Sequence, residues 1–528
     1  MTTTGPSLLL TPPQSYTSLV DETKRSTFTR QLGSNELSYY LPSRADGVND
    51  MYLHLGFHAP PELITPPRLH AIWAAQRLKH PLLASHIRTG PDVSCAQFEY
   101  TAPGTVEEAI QLAAEELVLT SSSKDDLLSN YLNGPRLLSA NRTSFLIIAR
   151  DPEQTHHWHL MLCAMHCIGD GMALHTCANE MLSLLGTGGE VDDLRKVVAS
   201  ELGKKVGVPR PMEAALPVFS NKLGRAIGMV DDKLLAAKQI GGQAFPKTKG
   251  LERKTVVPTV SFDEDRTKRI LARCKANGVS VSSAIFALCN IAWARMLAKG
   301  SVSAQMGTKL PTLMYTALNT RPWLDQASKD ESFFRLNIGY FNVILPSFVP
   351  SDSADVHRTF WHRARLAKAQ SSSAVKSPFI IARTQITASK REEQAIKWAK
   401  IDDEAAAKQN GLLTPVSTPV NEQLPALPSV PAPVVTPVPK PAPSTALMGL
   451  SLLGNLDGMY KHASYGAVKL TELTTGSRQR AGAMLLFSYT FVGKLWLCFG
   501  YDENGFERGV VEEFWNQLLY GVDDILGA

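Results

Sequence analysis

The stretch Trp158–Gly171, WHLMLCAMHCIGDG, decides how this chain is read. Trp158 to Met165 is a mainly apolar run that reads as a buried strand, and it delivers His166 at its end beside Gly169 and Gly171. From Met172 to Leu185 the apolar residues return at helical spacing through Leu174, Cys177, Ala178, Met181 and Leu185, and Gly186 stops the pattern. The motif His166-x-x-x-Asp170-Gly171 therefore sits between a strand and a helix. A histidine held beside a glycine turn can face a cavity, where its neutral imidazole can take a proton from an alcohol or an amine. Gly171 leaves room for backbone or substrate to approach. The residues alone also admit a plainer reading, with Asp170 as a helix N-cap, Gly171 as a turn glycine and His166 as a hydrogen-bonded core residue.

Upstream, Phe145 to Ala149 forms a hairpin with Trp158 to Met165 across a turn holding Asp151 and Pro152. A helix runs from Thr65, its N-cap, to Lys79; it breaks at His80-Pro81-Leu82-Leu83 into a short strand, Leu82 to Ile87. Downstream, Thr187 to Lys254 turns polar, with a helix over Lys233 to Gly242, and a second core starts near Val256. That core opens with a strand, Thr255 to Phe262, then a helix, Asp263 to Asn277, and a buried helix from Val279 to about Leu297. Leu318-Asn319-Thr320-Arg321-Pro322 reads as a strand end, and Gly339-Tyr340-Phe341-Asn342 as a following strand. A charged helix, Ser389 to Gln409, precedes the proline-rich stretch Gly411 to Thr445, which reads as a largely disordered surface insertion or, alternatively, a proline-motif docking site. Ser451 to Gly458 reads as a glycine-rich turn. Met484–Phe491 and Leu495–Tyr501 form a hairpin, and Val510 to Leu526 a closing helix.

At 528 residues, 44% hydrophobic and 20% charged, the chain can bury more than one core, so two domains are expected. Its net charge of +5 is spread along the sequence without a long basic block, which argues against a nucleic-acid partner. The seven cysteines form no C-x-x-C pair and read as reduced core residues of a cytoplasmic protein. Met1 to Pro13 lacks the basic start and apolar stretch of a secretory signal, and Val279 to Ala294 is too short and polar for a bilayer span, so no membrane partner is expected. His156, His157 and His159 lack a carboxylate or cysteine at familiar ligand spacing, so no metal is expected. Cys167 reads as a packing residue pointing away from His166. The nucleotide-binding loops G-x-x-x-x-G-K-[ST] and G-x-G-x-x-G are both missing.

Taken in order, the His-Pro step, the hairpin with H-x-x-x-D-G, the buried helix, Asn319-x-Arg321-Pro322 and the terminal hairpin resemble the CoA-dependent acyltransferase superfamily. That group includes chloramphenicol acetyltransferase, plant BAHD acyltransferases, peptide-synthetase condensation domains and fungal trichothecene O-acetyltransferases. The length, the Gly454–Gly458 run and the hairpin segment Tyr489–Leu495 are most similar to trichothecene 15-O-acetyltransferases. The resemblance implies an α/β fold of two chloramphenicol-acetyltransferase-like subdomains, each a mixed sheet flanked by helices, with a tunnel at their interface. Residues 1–200 would form the first, 201–254 the crossing and 255–528 the second, with the insertion at 411–445. It implies that His166 is a general base and that Asp170 points away from the tunnel to pair with an arginine. Arg321, beside Asn319, is the candidate for that arginine, and the N–H of Gly171 is the candidate oxyanion donor.

The implied co-substrate is acetyl-CoA, with no permanently bound cofactor. The acceptor would be a small-molecule alcohol, terpenoid in kind, and the protein a monomer. Two alternatives stand beside this: a condensation enzyme using a carrier-protein thioester, and a non-catalytic binding relative. The plant Asp-Phe-Gly-Trp-Gly element is missing, and the resemblance implies that the turn at Gly454–Gly458 occupies comparable space.

Overall fold

The computed structural model describes residues 25–187, 189–204, 206–217, 222–302, 310–409 and 444–527. The expectations for Met1–Pro13 and for nearly all of the proline-rich stretch lie outside the described residues. In chain order the first half holds β1 (Thr27–Gln31), α1 (Ser34–Ser43), β2 (Met51–His58), α2 (Pro66–Lys79), β3 (His86–Arg88), β4 (Gln97–Thr101) and α3 (Val106–Ala114). It continues with β5 (Leu117–Ser121), α4 (Lys124–Asn133), β6 (Ser144–Arg150), β7 (His157–Ala164), α5 (Gly171–Thr187), α6 (Val191–Gly203), α7 (Met212–Ala215) and α8 (Lys222–Lys238). The second half holds β8 (Thr255–Val256), β9 (Thr259–Phe262), α9 (Glu264–Ala276), α10 (Val281–Lys299), β10 (Thr312–Asn319), β11 (Ile338–Leu345), α11 (Ser353–Val375) and α12 (Ile380–Gln409). It closes with β12 (Met448–Asn455), β13 (Lys469–Ser477), β14 (Met484–Phe491), β15 (Lys494–Asp502) and α13 (Val510–Gly521).

Two mixed sheets organise these elements. The first has the order β13-β2-β7-β6-β5, antiparallel except for the parallel β5–β6 pair. The second runs β11-β10-β12-β14-β15-β8, with β9 also on β15, and is parallel across β10-β12-β14. Strands β1, β4 and β3 make a small third sheet. The pairing cuts across a simple division at residue 255, because β13, late in the chain, is an edge strand of the first sheet. Each large sheet has its own core. Tyr489, Phe491, Trp496 and Cys498 of the terminal hairpin pack into the core of the first half and so tie the two halves together.

Helix α10 is long and apolar enough to cross a membrane by length and composition, but it runs through the second core and most of it is buried. Its N-cap Ser280 accepts the N–H of Ser283, and Gly300 ends it in the left-handed conformation.

Several local expectations are corrected. Leu82–Ile87 is not one strand: Pro81–Ala84 is a 3-10 turn, and the strand is only His86–Arg88. The hydroxyls of Thr143 and Ser144 donate to the carbonyls of Leu82, Ser85 and Leu83, satisfying them outside any ladder. Gly186 does not stop α5. It lies inside the helix, where a Cβ would come within 1.9 Å of the Tyr465 carbonyl oxygen, so glycine serves close packing there. Thr255–Phe262 is split into two short strands, as the missing N–H of Pro258 would have it. Ser451–Asn455 is strand rather than turn, and the turn begins only after Asn455. The helix expected over Lys233–Gly242 ends at Lys238 and starts earlier, at Lys222.

The turn after β12 has a definite task. Val492 and Gly493 join β14 to β15 with φ of 52° and 69°, the signs of a type I′ hairpin turn, and valine is an unusual residue to hold there. Asp457 supports it, its carboxylate accepting the N–H groups of Val492 at 2.7 Å and Gly493 at 3.0 Å. His462 Nε2 lies 3.0 Å from the same carboxylate. Asp457→Ala is expected to cost about 1.5–3 kcal/mol, the worth of a charge-assisted hydrogen bond set, measured as the change in urea midpoint at constant slope.

Candidate active site

Strand β7 is the central rail of the first sheet, buried along its whole length. The chain leaves it at Met165, whose N–H still reaches the carbonyl of Thr143, and bends over the next four residues into α5. The bend is tight because its inner side is occupied. A Cβ on Gly169 would sit 2.7 Å from the Phe334 ring, whereas one on Gly171 would meet only Leu453 at 3.7 Å. The glycine that this packing demands is therefore Gly169.

His166 sits at the crest of the bend. Its Nδ1 lies 3.1 Å from the Gly169 carbonyl oxygen. A carbonyl can only accept, so in the neutral ring Nδ1 carries the proton and Nε2 keeps its lone pair. The ring stacks on Tyr39 of α1, centroids 4.0 Å apart at 21°. Burial pushes the imidazole pKa down to about 4, with smaller opposing help from Asp170 and the Gly169 carbonyl and a further downward push from Arg391. The side chain keeps partial access to solvent although protein surrounds it.

Asp170 turns to the other side and is buried. Its Oδ1 accepts the N–H of Ala173, capping α5. Its Oδ2 accepts from Arg321 Nη1 at 2.9 Å and from the N–H of Asn337 at 2.8 Å. Arg321 follows β10, so this ion pair joins the two halves directly behind His166. Arg321 Nη2 also donates to the carbonyls of Phe333 and Arg335, and its guanidinium lies 4.3 Å from the Phe333 ring centroid. Asn319 Oδ1 accepts the Arg321 N–H at 3.1 Å and so shapes the turn that presents the arginine. His80, from the His-Pro step, completes the wall: its Nδ1 lies 2.9 Å from Ser332 Oγ and its ring packs against Phe334. The buried side-chain amide of Asn337, next to Asp170, has no hydrogen-bond partner among the described residues.

Sequence reading missed the aromatic group over His166. Tyr39 and Tyr340 share a hydrogen bond between their hydroxyls, and Arg391 of α12 lies 5.0 and 4.8 Å from the two ring centroids. These residues come from α1, β11 and α12, far apart in sequence, and only packing brings them together. Burial, then Tyr340, raises the Tyr39 hydroxyl well above its usual pKa, so it stays protonated. Cys167 is buried and its thiol is pushed well up by burial, so it offers no thiolate beside His166.

Two mixed-sheet halves, joined behind a histidine at the end of a central strand, define the fold of chloramphenicol-acetyltransferase-like acyltransferases and condensation domains. Among solved structures the chain is similar to the trichothecene 15-O-acetyltransferase of Fusarium sporotrichioides, with 13% identity, 99% of each chain covered and a TM-score of 0.71. It is also similar to polyketide synthase associated protein 5 of Mycobacterium tuberculosis, with 10% identity over 94% of this chain and 98% of that one, TM-score 0.54. The condensation domain of the monacolin K polyketide synthase matches at 11% identity with the same coverage and TM-score. No family model matches the chain, and no curated protein sequence matches it.

Proposed function

We propose that this protein is an O-acyltransferase that moves an acetyl or other short acyl group from CoA to a hydroxyl of a small terpenoid-like metabolite. The observation that carries this reading is the state of His166: its Nδ1–H is committed to the Gly169 carbonyl, its Nε2 lone pair is left free, and burial keeps the ring neutral. Nε2 removes the acceptor hydroxyl proton as the alcohol oxygen attacks the thioester carbonyl. The resulting imidazolium then gives that proton to the departing CoA thiolate as the tetrahedral intermediate collapses. Asp170 and Arg321 are positioning residues that hold the bend to the second half. The backbone N–H of Gly171 is the proposed donor to the developing oxyanion.

The likeness to condensation domains favours one second reading, in which the thioester is held on a carrier protein rather than on free CoA. A titration with acetyl-CoA separates the two. Ligand at 100 times its dissociation constant stabilises a protein by about 2.7 kcal/mol, so the melting temperature should rise and free thiol should appear once an alcohol is supplied. No stabilisation at millimolar acetyl-CoA, together with turnover of a carrier-bound acyl group, would replace the CoA reading by the carrier one.

The low basicity of His166 has a readable consequence. A general base works in its neutral form, so kcat/KM should be flat from about pH 5.5 upward and fall only as pH drops toward about 4. An acidic limb near 6.5, the free-histidine value, would show that the ring is solvated in the working enzyme. Stability follows the same sign. The folded pKa lies below the unfolded one, so the contribution of this group is complete above about 6.5 and is lost as pH falls toward about 4.

A further inference from the structure

A second cluster of chemistry-bearing side chains lies at the start of β7, about 23–30 Å along the chain from His166 at the rise of an extended strand. The register places His58 opposite His157 and Gly56 opposite His159, so His54, His58, His157 and His159 share one face of the sheet. Gly56 leaves that face open, and Glu472 of β13 lies across it: a Cβ on Gly56 would come within 2.6 Å of the Glu472 Cγ. The hairpin turn between β6 and β7 adds Asp151. Its Oδ1 accepts the N–H groups of Glu153 and Gln154 at 2.8 and 2.9 Å, which fixes the carboxylate. Its Oδ2 is then aimed at both His157 Nδ1, at 3.4 Å, and His159 Nε2, at 3.1 Å. All three side chains are buried.

We propose that Asp151 Oδ2, His157 Nδ1 and His159 Nε2 form a site for a divalent transition metal, zinc foremost. A tetrahedral zinc ion with bonds of about 2.0–2.1 Å holds its ligand atoms about 3.4 Å apart, close to the two spacings observed. The three donor atoms lie within 4.8 Å of one another. One carboxylate and two imidazoles form a ligand set that zinc accepts, with a fourth position open.

The surroundings strengthen the case. A metal-bound imidazole donates through its far nitrogen, and each ring here has a group waiting there. His157 Nε2 faces Thr471 Oγ1 at 3.2 Å, and His159 Nδ1 faces His54 Nε2 at 3.0 Å. His54 Nδ1 in turn faces Thr474 Oγ1 at 3.3 Å. Without metal the same contacts run in reverse: His157 and His159 donate to Asp151, His159 accepts from His54, and His157 and His54 accept from Thr471 and Thr474. Loading therefore needs only a tautomer change in each ring, with no net proton lost from the cluster. Sequence reading saw the histidines but not the carboxylate, because Asp151 reaches them through the turn, where His156 adopts a φ of 59°.

The test is zinc titration of the full chain after chelator treatment, followed by calorimetry, by melting temperature and by the visible absorption of cobalt(II) as a substitute. One ion per chain is expected for wild type and for His166→Ala alike, with a rise in melting temperature. Asp151→Asn and His159→Gln should lose the site, and Thr471→Val, which spares every ligand, should weaken it about 10- to 100-fold. A wild-type chain that takes up no zinc or cobalt at micromolar free metal overturns the proposal. So does uptake that Asp151→Asn and Thr471→Val leave unchanged; these two variants decide the matter if His159→Gln fails to fold.

Discussion

Replacing His166 by alanine is expected to lower turnover by at least about 10²- to 10⁴-fold, the usual contribution of a positioned general base. The residue sits at a bend rather than in the body of the strand, so its loss removes one stacking partner of Tyr39 and the hydrogen bond to Gly169 while leaving the ladder of β7 intact. The variant should therefore fold, and it should still be stabilised by acetyl-CoA if CoA is the donor. Thiol release by wild type and variant, measured on protein of matched melting behaviour, checks this. Turnover within tenfold of wild type would remove His166 from the chemistry altogether.

Removing the carboxylate of Asp170 should act through structure. Asp170→Ala strands the Arg321 guanidinium in a largely buried place and leaves the N–H groups of Ala173 and Asn337 without their acceptor. Breaking a buried pair from one side costs about 3–5 kcal/mol, and here the loss also loosens the loop that carries His166. A fall in urea midpoint together with lost activity is expected. Asp170→Asn, which keeps the shape and one acceptor oxygen, should be milder. The pair itself can be isolated. If Asp170 and Arg321 act mainly on each other, the double variant Asp170→Ala/Arg321→Ala should be no less stable than Asp170→Ala alone. Strictly additive losses would mean that the ion pair is not what joins the halves.

How far the sequence revealed this arrangement depended on how local each signal was. The run Trp158–Met165 followed by His166 and Gly169 is a strand leading into a bend, and both signals lie within a few residues. Helices with a local mark were legible for the same reason: α9 has its N-cap Asp263, and α13 buries Phe514 and Leu518 on one face. Strand β12 was not. Its alternation, Met448, Leu450 and Leu452 with Gly449 and Ser451 between, is short, and the glycines at 449 and 454 look like a turn. Helices α6 and α11 lie in polar or mixed stretches whose helicity rests on tertiary packing. In the site, the Asp170–Arg321 contact was anticipated through a family likeness and not through spacing. Tyr39, Tyr340 and Arg391 carried no local mark, because a residue's distance from His166 in space leaves no trace in a single sequence.

The edge strand β13 ties the fate of the beginning of the chain to its end. It pairs with β2 along its length, from Lys469 opposite His58 to Ser477 opposite Met51. During synthesis the outer edge of β2 waits, unpaired and able to recruit foreign strands, until almost the whole polypeptide has emerged. A premature stop anywhere before residue 469 would thus spoil the half that carries His166 while leaving every residue of that half's own sequence in place. Conversely, the two pieces of a chain cut between α12 and β12 would each hold part of the other's sheet, which makes that stretch the natural place to split the protein into fragments that find each other again.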